Sequence, residues 1–170
     1  MSFAPTQTKN ELKLVSSTDP VLKKEAEFIK NPLDLEVQKL IPKMFEIMEK
    51  EKGIGLAAPQ VDISLRLITI KIKERKIVLI NPEITSHSNK MSAYPEGCLS
   101  LPGKEFPIVR YDAVTVEFIN ELGRKRTLKT GGLLAIAFQH EIDHLDGILM
   151  SDRFEEQKGL REKLGVDDKI

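Results

Sequence analysis

The chain has 170 residues and a mass of 19.2 kDa, with 41% apolar side chains, 31% charged side chains and a formal net charge of zero; this excludes wholesale disorder. The one cysteine, Cys98, excludes an internal disulfide framework, and no apolar run approaches the ~18–20 residues of a membrane span. Residues 1–85 carry 14 basic and 12 acidic groups and residues 86–170 carry 12 and 14, so there is no electrostatic case for DNA or RNA as the main ligand.

The N-terminal stretch has neither the apolar run nor the Arg-rich pattern of a targeting segment, so the expectation is a cytoplasmic chain forming one domain over 1–170. Thr18-Asp19-Pro20 predicts a helix entry into 21–29, closed by Asn31-Pro32. Across 34–52, Val37, Leu40, Ile41, Met44, Ile47 and Met48 follow a helical period. Pro42 predicts a kink or restart near Ile41, and Gly53 the stop. Strands are expected at 65–72, 76–80 and 113–119, the last returning through 125–129 after the turn Asn120-Glu121-Leu122-Gly123. Gly131-Gly132 then opens a largely apolar, buried helix at 133–145, and an amphipathic helix follows near 154–164. Strands in the middle with helices on either side predict an α+β fold with a mostly antiparallel sheet.

The central helix carries His140-Glu141-Ile142-Asp143-His144, the pattern H-E-x-x-H. Residues four apart share a helix face, so both imidazoles can reach one metal ion, and Glu141 stands close enough to move a proton without being a ligand. Random placement would give this pattern in roughly one such chain in two hundred. A catalytic site needs a third ligand. Met150 occupies the position where the metzincin pattern has its third histidine, and thioether is a poor ligand for a hydrolytic metal. Glu155, Glu156 or Glu162 would have to reach back from a short tail.

Cys98, in Pro95-Glu96-Gly97-Cys98-Leu99-Ser100, has three readings: a small buried hydrophobe, a nucleophile with a histidine base, or the third ligand. The ligand reading leaves the fewest residues unexplained, with His87 an ordinary loop residue. The third feature, Gly53-Ile54-Gly55-Leu56-Ala57-Ala58-Pro59-Gln60, suits close approach of a ligand to the backbone, with Gln60 offering an amide. It lacks the pattern of a phosphate loop, and a helix cap with a tight turn explains it equally well.

Together these segments resemble the peptide deformylase family, whose pattern is G-Φ-G-Φ-A-A-x-Q, E-G-C-Φ-S and H-E-x-x-H in that order. Every motif position matches, and the likeness extends over roughly residues 12–165. Thr130-Gly131-Gly132 departs from many relatives, which carry an acidic residue before the helix. The resemblance implies a single domain with mostly antiparallel sheets around the central helix, N-terminal helices and a short C-terminal helix. It implies removal of the N-formyl group from the formylmethionine of nascent polypeptides, releasing formate.

By the same resemblance, Cys98, His140 and His144 hold one divalent metal, usually Fe(II), with Zn, Ni or Co able to replace it and water or hydroxide in the fourth position. Glu141 is the general acid/base, and the Gln60 amide and Leu99 N–H stabilise the oxyanion. Gly55 and Gly97 hold the peptide as an added strand, and Ile54, Tyr94, Leu133, Ile136 and Ala137 line the methionine pocket. Helix core is an equally good account of Leu133, Ile136 and Ala137 taken singly. Glu96 and Asp143 are candidates to orient an imidazole, with Asp143 alternatively paired to Arg110. The implied partners are formyl-Met peptides and a transient ribosome contact; Lys158, Arg161 and Lys163 offer a basic helix face, for which plain solvation is the simpler account. A zincin-like endopeptidase and a binding protein that keeps the fold without turnover are the rival readings. Met150 argues against the first and the intact motifs against the second.

Overall fold

The computed structural model describes residues 12–166; most of the stretch read for a targeting segment, and the last four residues, lie outside them. A 3-10 turn at Pro20–Lys23 and helix α1 (Leu35–Lys50) lead into β1 (Gly55–Ala57) and a second 3-10 turn (Ala58–Val61). Then come β2 (Leu67–Ile72), β3 (Arg75–His87), β4 (Met91–Cys98), β5 (Leu101–Tyr111), β6 (Ala113–Ile119) and β7 (Lys125–Gly131). Helices α2 (Gly132–Leu145), α3 (Met150–Glu156) and α4 (Lys158–Lys163) complete the order. The strands form a five-stranded sheet in the order β1-β2-β3-β6-β7 and a two-stranded ribbon, β4-β5, all paired antiparallel. The α+β reading therefore holds.

Helices cover both faces of the larger sheet. Alternate residues of β2 and β3 supply the two cores: Ile68, Ile70, Ile77 and Leu79 join Phe138 and Ile142 of α2, while Leu67, Val78 and Ile80 join Met44 and Met48 of α1. Burial on both faces makes Ile77–Ile80 of β3 a continuous apolar run, while β2 keeps Thr69 and Lys71 among its apolar residues.

In α1 the Asp34 carboxylate accepts from the Glu36 N–H, and the buried stripe is Val37, Leu40, Ile41, Met44, Phe45 and Met48. Phe45 takes the place expected for Ile47, which sits at the stripe's edge and is half-buried. Of the two outcomes expected at Pro42, the restart does not occur: α1 runs through it as one element and forgoes the single donor that proline lacks. The helix stops one residue earlier than expected. Lys52 takes the left-handed conformation (φ 58°), and the N–H groups of Lys52 and Gly53 close onto the carbonyls of Glu49 and Met48.

Three further expectations need correction. The helix predicted for 21–29 is only the turn Pro20–Lys23, because other segments take the following backbone groups: Ala26 N–H bonds Leu145 O, Glu27 N–H bonds Ser64 O, and Ile29 bonds the Asn81 side chain in both directions. The helix predicted for 154–164 is two short helices meeting at Gln157, whose amide both donates to and accepts from the backbone of Val109. His87 ends β3 and stacks on Tyr111, with ring centroids 3.7 Å apart.

The ribbon β4-β5 was not foreseen. Gln139 of α2 bonds the backbone of Tyr111 as Gln157 bonds that of Val109, so both residues point their amide groups away from β4. By alternation Pro107 points away too, as do the register partners Met91, Ala93 and Pro95, and Gly97 beyond them. Pro95 and Pro107 lie directly opposite one another at positions where no ladder donor is needed.

Candidate metal centre

Helix α2 faces the larger sheet with Ala135, Phe138, Ile142 and Leu145, spaced three and four apart, and this fixes the rotation of the helix. His140 and His144 lie one turn apart, with ring centroids separated by 5.0 Å at an interplanar angle of 77°. Cys98 reaches them from the last position of β4. Its Sγ is 3.3 Å from His144 Nε2, and the ligand atoms of Cys98, His140 and His144 all lie within 4.8 Å of one another. Cys98 opens onto a shallow cleft lined by Gly97, Leu101, Gly103, Lys104 and Glu105. Met150 is buried at the start of α3, and Glu155, Glu156 and Glu162 do not join the group.

One imidazole is held by a chain of buried charges. His140 Nδ1 is 2.8 Å from Glu96 Oε2, and Arg110 bonds the same carboxylate through Nε (2.8 Å) and Nη2 (3.0 Å). The remaining Arg110 nitrogen, Nη1, reaches Asp143 Oδ2 at 2.5 Å, and Arg153 of α3 closes on Asp143 from the other side at 2.6 and 3.0 Å. Of the two carboxylates expected to orient an imidazole, Glu96 does so. Asp143 instead pairs with the arginines, and among the described residues His144 Nδ1 is buried without a hydrogen-bond partner.

These contacts set the proton affinities. Burial alone would raise Glu96, but hydrogen bonds from His140 and Arg110 outweigh it and hold the carboxyl below its ordinary range. Burial likewise opposes the charged form of His140, yet hydrogen bonding to Cys98 and Glu96 carries it well above the usual histidine value. His144 goes the other way. Burial, and then the charge of His140, push it down to about 3, so it stays a neutral ring. Burial lifts Glu141 to about 7, within the range of a proton carrier at neutral pH.

Glu141 is 5% exposed, and its Oε2 has no hydrogen-bond partner among the described residues. Gln60 is held by the Ala57 N–H, which donates to its Oε1 at 2.9 Å; this turns Nε2 toward Cys98 Sγ (3.6 Å) and Ser100 Oγ (3.3 Å). Leu99 follows Cys98, and its side chain rests beside Gly53. A β-carbon at Gly97 would make only an ordinary contact, 3.8 Å from Lys104 O, while Gly55 abuts Glu141. The expected apolar set is spread out: Ile54 and Leu133 stand 42% and 55% exposed, Ile136 is half-buried, and Ala137 is in the core. Tyr94 is half-buried, its hydroxyl donating to Asp112.

Sequence reasoning missed Ser100, Ala57 and Arg153. The first two lie inside the recognised motifs, whereas nothing local marks Arg153. Arg161, counted among basic surface residues, is 1% exposed; it lies over the Phe154 ring and donates to the Phe154 carbonyl.

The donor set fits a divalent cation. A thiolate and two imidazoles converge, Glu96 takes Nδ1 of His140 and so leaves Nε2 free for a metal, and an unpartnered carboxylate oxygen lies buried nearby. An α+β fold with three such donors on a helix and a strand end, and an acid beside them, defines a hydrolase of the metal-dependent class. The family model for polypeptide deformylase matches residues 11–159, and the chain belongs to that family.

A peptide deformylase of Prochlorococcus marinus (strain MIT 9312) is 39% identical over 168 residues, covering 95% of this chain and 83% of the relative. One from Natranaerobius thermophilus is 45% identical over 145 residues, covering 85% and 92%. Among solved structures, the Synechococcus elongatus deformylase in complex with actinonin has a TM-score of 0.82 at 38% identity, covering 95% and 90%. The Met-Ala-Ser-bound deformylase of Acinetobacter baumannii has a TM-score of 0.80 at 32% identity, covering 84% and 98%. The chain is a hydrolase that removes the N-formyl group from nascent peptides. No helix among the described residues is long and apolar enough to cross a membrane.

Proposed function

We propose that Cys98, His140 and His144 hold one divalent metal and that Glu141, Gln60 and Leu99 carry out the deformylation beside it. The observation that carries this reading is the meeting of the three ligand atoms within 4.8 Å, next to a buried carboxyl lifted to about 7. A soft thiolate with two imidazoles suits Fe(II), the physiological occupant in this reading, and also Zn, Ni or Co. The bound metal supplies Lewis acidity that makes water nucleophilic near neutral pH.

The chain does the rest. Glu141 takes the proton from the attacking water and returns it to the leaving amine, freeing formate and the new N-terminus. Negative charge grows on the formyl oxygen, where the Gln60 amide and the Leu99 N–H donate; donors of this kind are typically worth ~2.7–4 kcal/mol each. Gln60 is pre-set for this, because the bond from Ala57 N–H fixes which end of its amide faces Cys98. The peptide adds as a strand along Gly97, whose backbone points away from β5, and passes Gly55. Ile54, Tyr94, Leu133 and Ile136 receive the methionine side chain, with Ala137 behind them. The relative bound to Met-Ala-Ser supports a peptide product of this kind.

In this reading the chain is one deformylase domain over 1–170 working in the cytoplasm. Any ribosome contact is transient and uses Lys158 and Lys163 without Arg161.

The test is anaerobic purification, metal analysis and formate release from a formyl-Met tripeptide. Glu141→Ala should keep the metal and lose about 10³-fold in kcat, and Cys98→Ser should lose metal. Metal-loaded protein that releases no formate, or Glu141→Ala with undiminished release, overturns the reading.

A further inference from the structure

We infer that Gly55 is a positioning residue for Glu141: its missing side chain is the space in which the Glu141 carboxyl sits. The inference rests on the reading of Glu141 as proton carrier.

Gly55 begins β1 and pairs with Ile70 in the sheet. It is not among the glycines with positive φ, so an L-residue could adopt its backbone without strain. What forbids a side chain is a neighbour. A β-carbon at residue 55 would fall 2.9 Å from both Cγ and Cδ of Glu141, and closer still to Oε1. Real β-carbons do not approach other atoms so closely, and the conflict involves the stem of the side chain as well as its tip.

Glu141 has little freedom to yield. It is almost fully buried, on a helix fixed against the sheet by Phe138 and Ile142. Gly53 makes an instructive contrast. A β-carbon there would lie 3.4 Å from Gly55 O, an ordinary contact, and would crowd the branch of Leu99, 2.7 Å from Cδ1 and 3.3 Å from Cγ, whose flexible end can turn aside. The two glycines thus do different work: Gly53 gives room to a yielding side chain, while Gly55 sets the depth at which the reacting carboxyl lies.

The experiment is a double-mutant cycle on the full, metal-loaded chain, comparing Gly55→Ala, Glu141→Ala and the pair at matched metal occupancy. Gly55→Ala alone should lower Tm by roughly 5 °C. It should also lower kcat about 100-fold with KM nearly unchanged. In the Glu141→Ala background the same methyl has room, and the Tm loss should vanish. If Gly55→Ala alone does not fold, the double variant should. An equal Tm loss in both backgrounds overturns the inference, as does a raised KM at unchanged kcat, or failure of the double variant to fold. Full activity of Glu141→Ala alone would instead overturn the proton-carrier reading, and the Tm cycle would still decide whether residue 55 packs on residue 141.

Discussion

Against the five-stranded sheet, α2 presents Ala135, Phe138, Ile142 and Leu145 in an apolar core, with Glu141 set beside Gly55 of the edge strand β1. Against the β4-β5 ribbon the same helix presents Gln139, His140 and Asp143, and the contact consists of hydrogen bonds and ion pairs. The first contact is worth a great deal but is non-directional, so it fixes where the helix lies and not where an imidazole points. The second is directional: Arg110 joins the carboxylate that holds His140 to one on the next turn of α2. Burying charge seldom adds net stability. Here it orients a ligand ring.

The largest effect that would sharpen this contrast comes from Arg110→Met, which strands Glu96 and Asp143 without their shared cation. A loss of about 3–5 kcal/mol in urea unfolding is expected, with metal affinity falling about 10–100-fold as His140 loses its fixed orientation. Phe138→Ala should cost a similar ~3–5 kcal/mol while leaving metal affinity near the parent value. If both variants lose metal alike, the division of labour is wrong.

Acid should separate the two contacts next. Glu96 and Asp143 are held below their ordinary values of 4.5 and 3.8. Their stabilisation is therefore complete above those values and is lost as pH falls through the lower folded ones. Phe138→Ala should keep the parent's acid slope and Arg110→Met should flatten it, read as midpoint against pH between neutrality and pH 3. The smallest effect belongs to Arg153→Ala. That side chain is 30% exposed and Asp143 keeps Arg110, so a loss of about 1 kcal/mol or less is expected.

The apolar contact was the more legible of the two in the sequence. The period of Val37 to Met48 and the run 133–145 located both helices because burial against a sheet leaves a stripe that can be counted. The H-E-x-x-H pair and Gln60 were readable because spacing and motif mark them. The ribbon was not, since Pro95, Gly97, Pro102, Gly103 and Pro107 break any strand pattern with residue types that ordinarily mark turns. Only the register shows that Pro95 and Pro107 need no ladder donor. The predicted helix over 21–29 failed for the converse reason: its local signals were sound, but Leu145, Ser64 and Asn81 took the backbone groups it needed. Arg153 was hidden because an ion pair with a partner 10 residues away carries no periodic signature.

The two glutamines that bond to β5 have a consequence for the protein at high concentration. A two-stranded ribbon ordinarily leaves two open edges, each a template on which another chain can zip. Gln139 and Gln157 each present an amide that donates and accepts as a strand residue would, at Tyr111 and Val109. They act as a two-residue imitation strand, too short to be extended by a neighbour. The stretch of the β5 margin at Val109 and Tyr111 is thereby closed to copies of the chain, while on the other margin Met91, Ala93 and Gly97 turn their backbone groups outward.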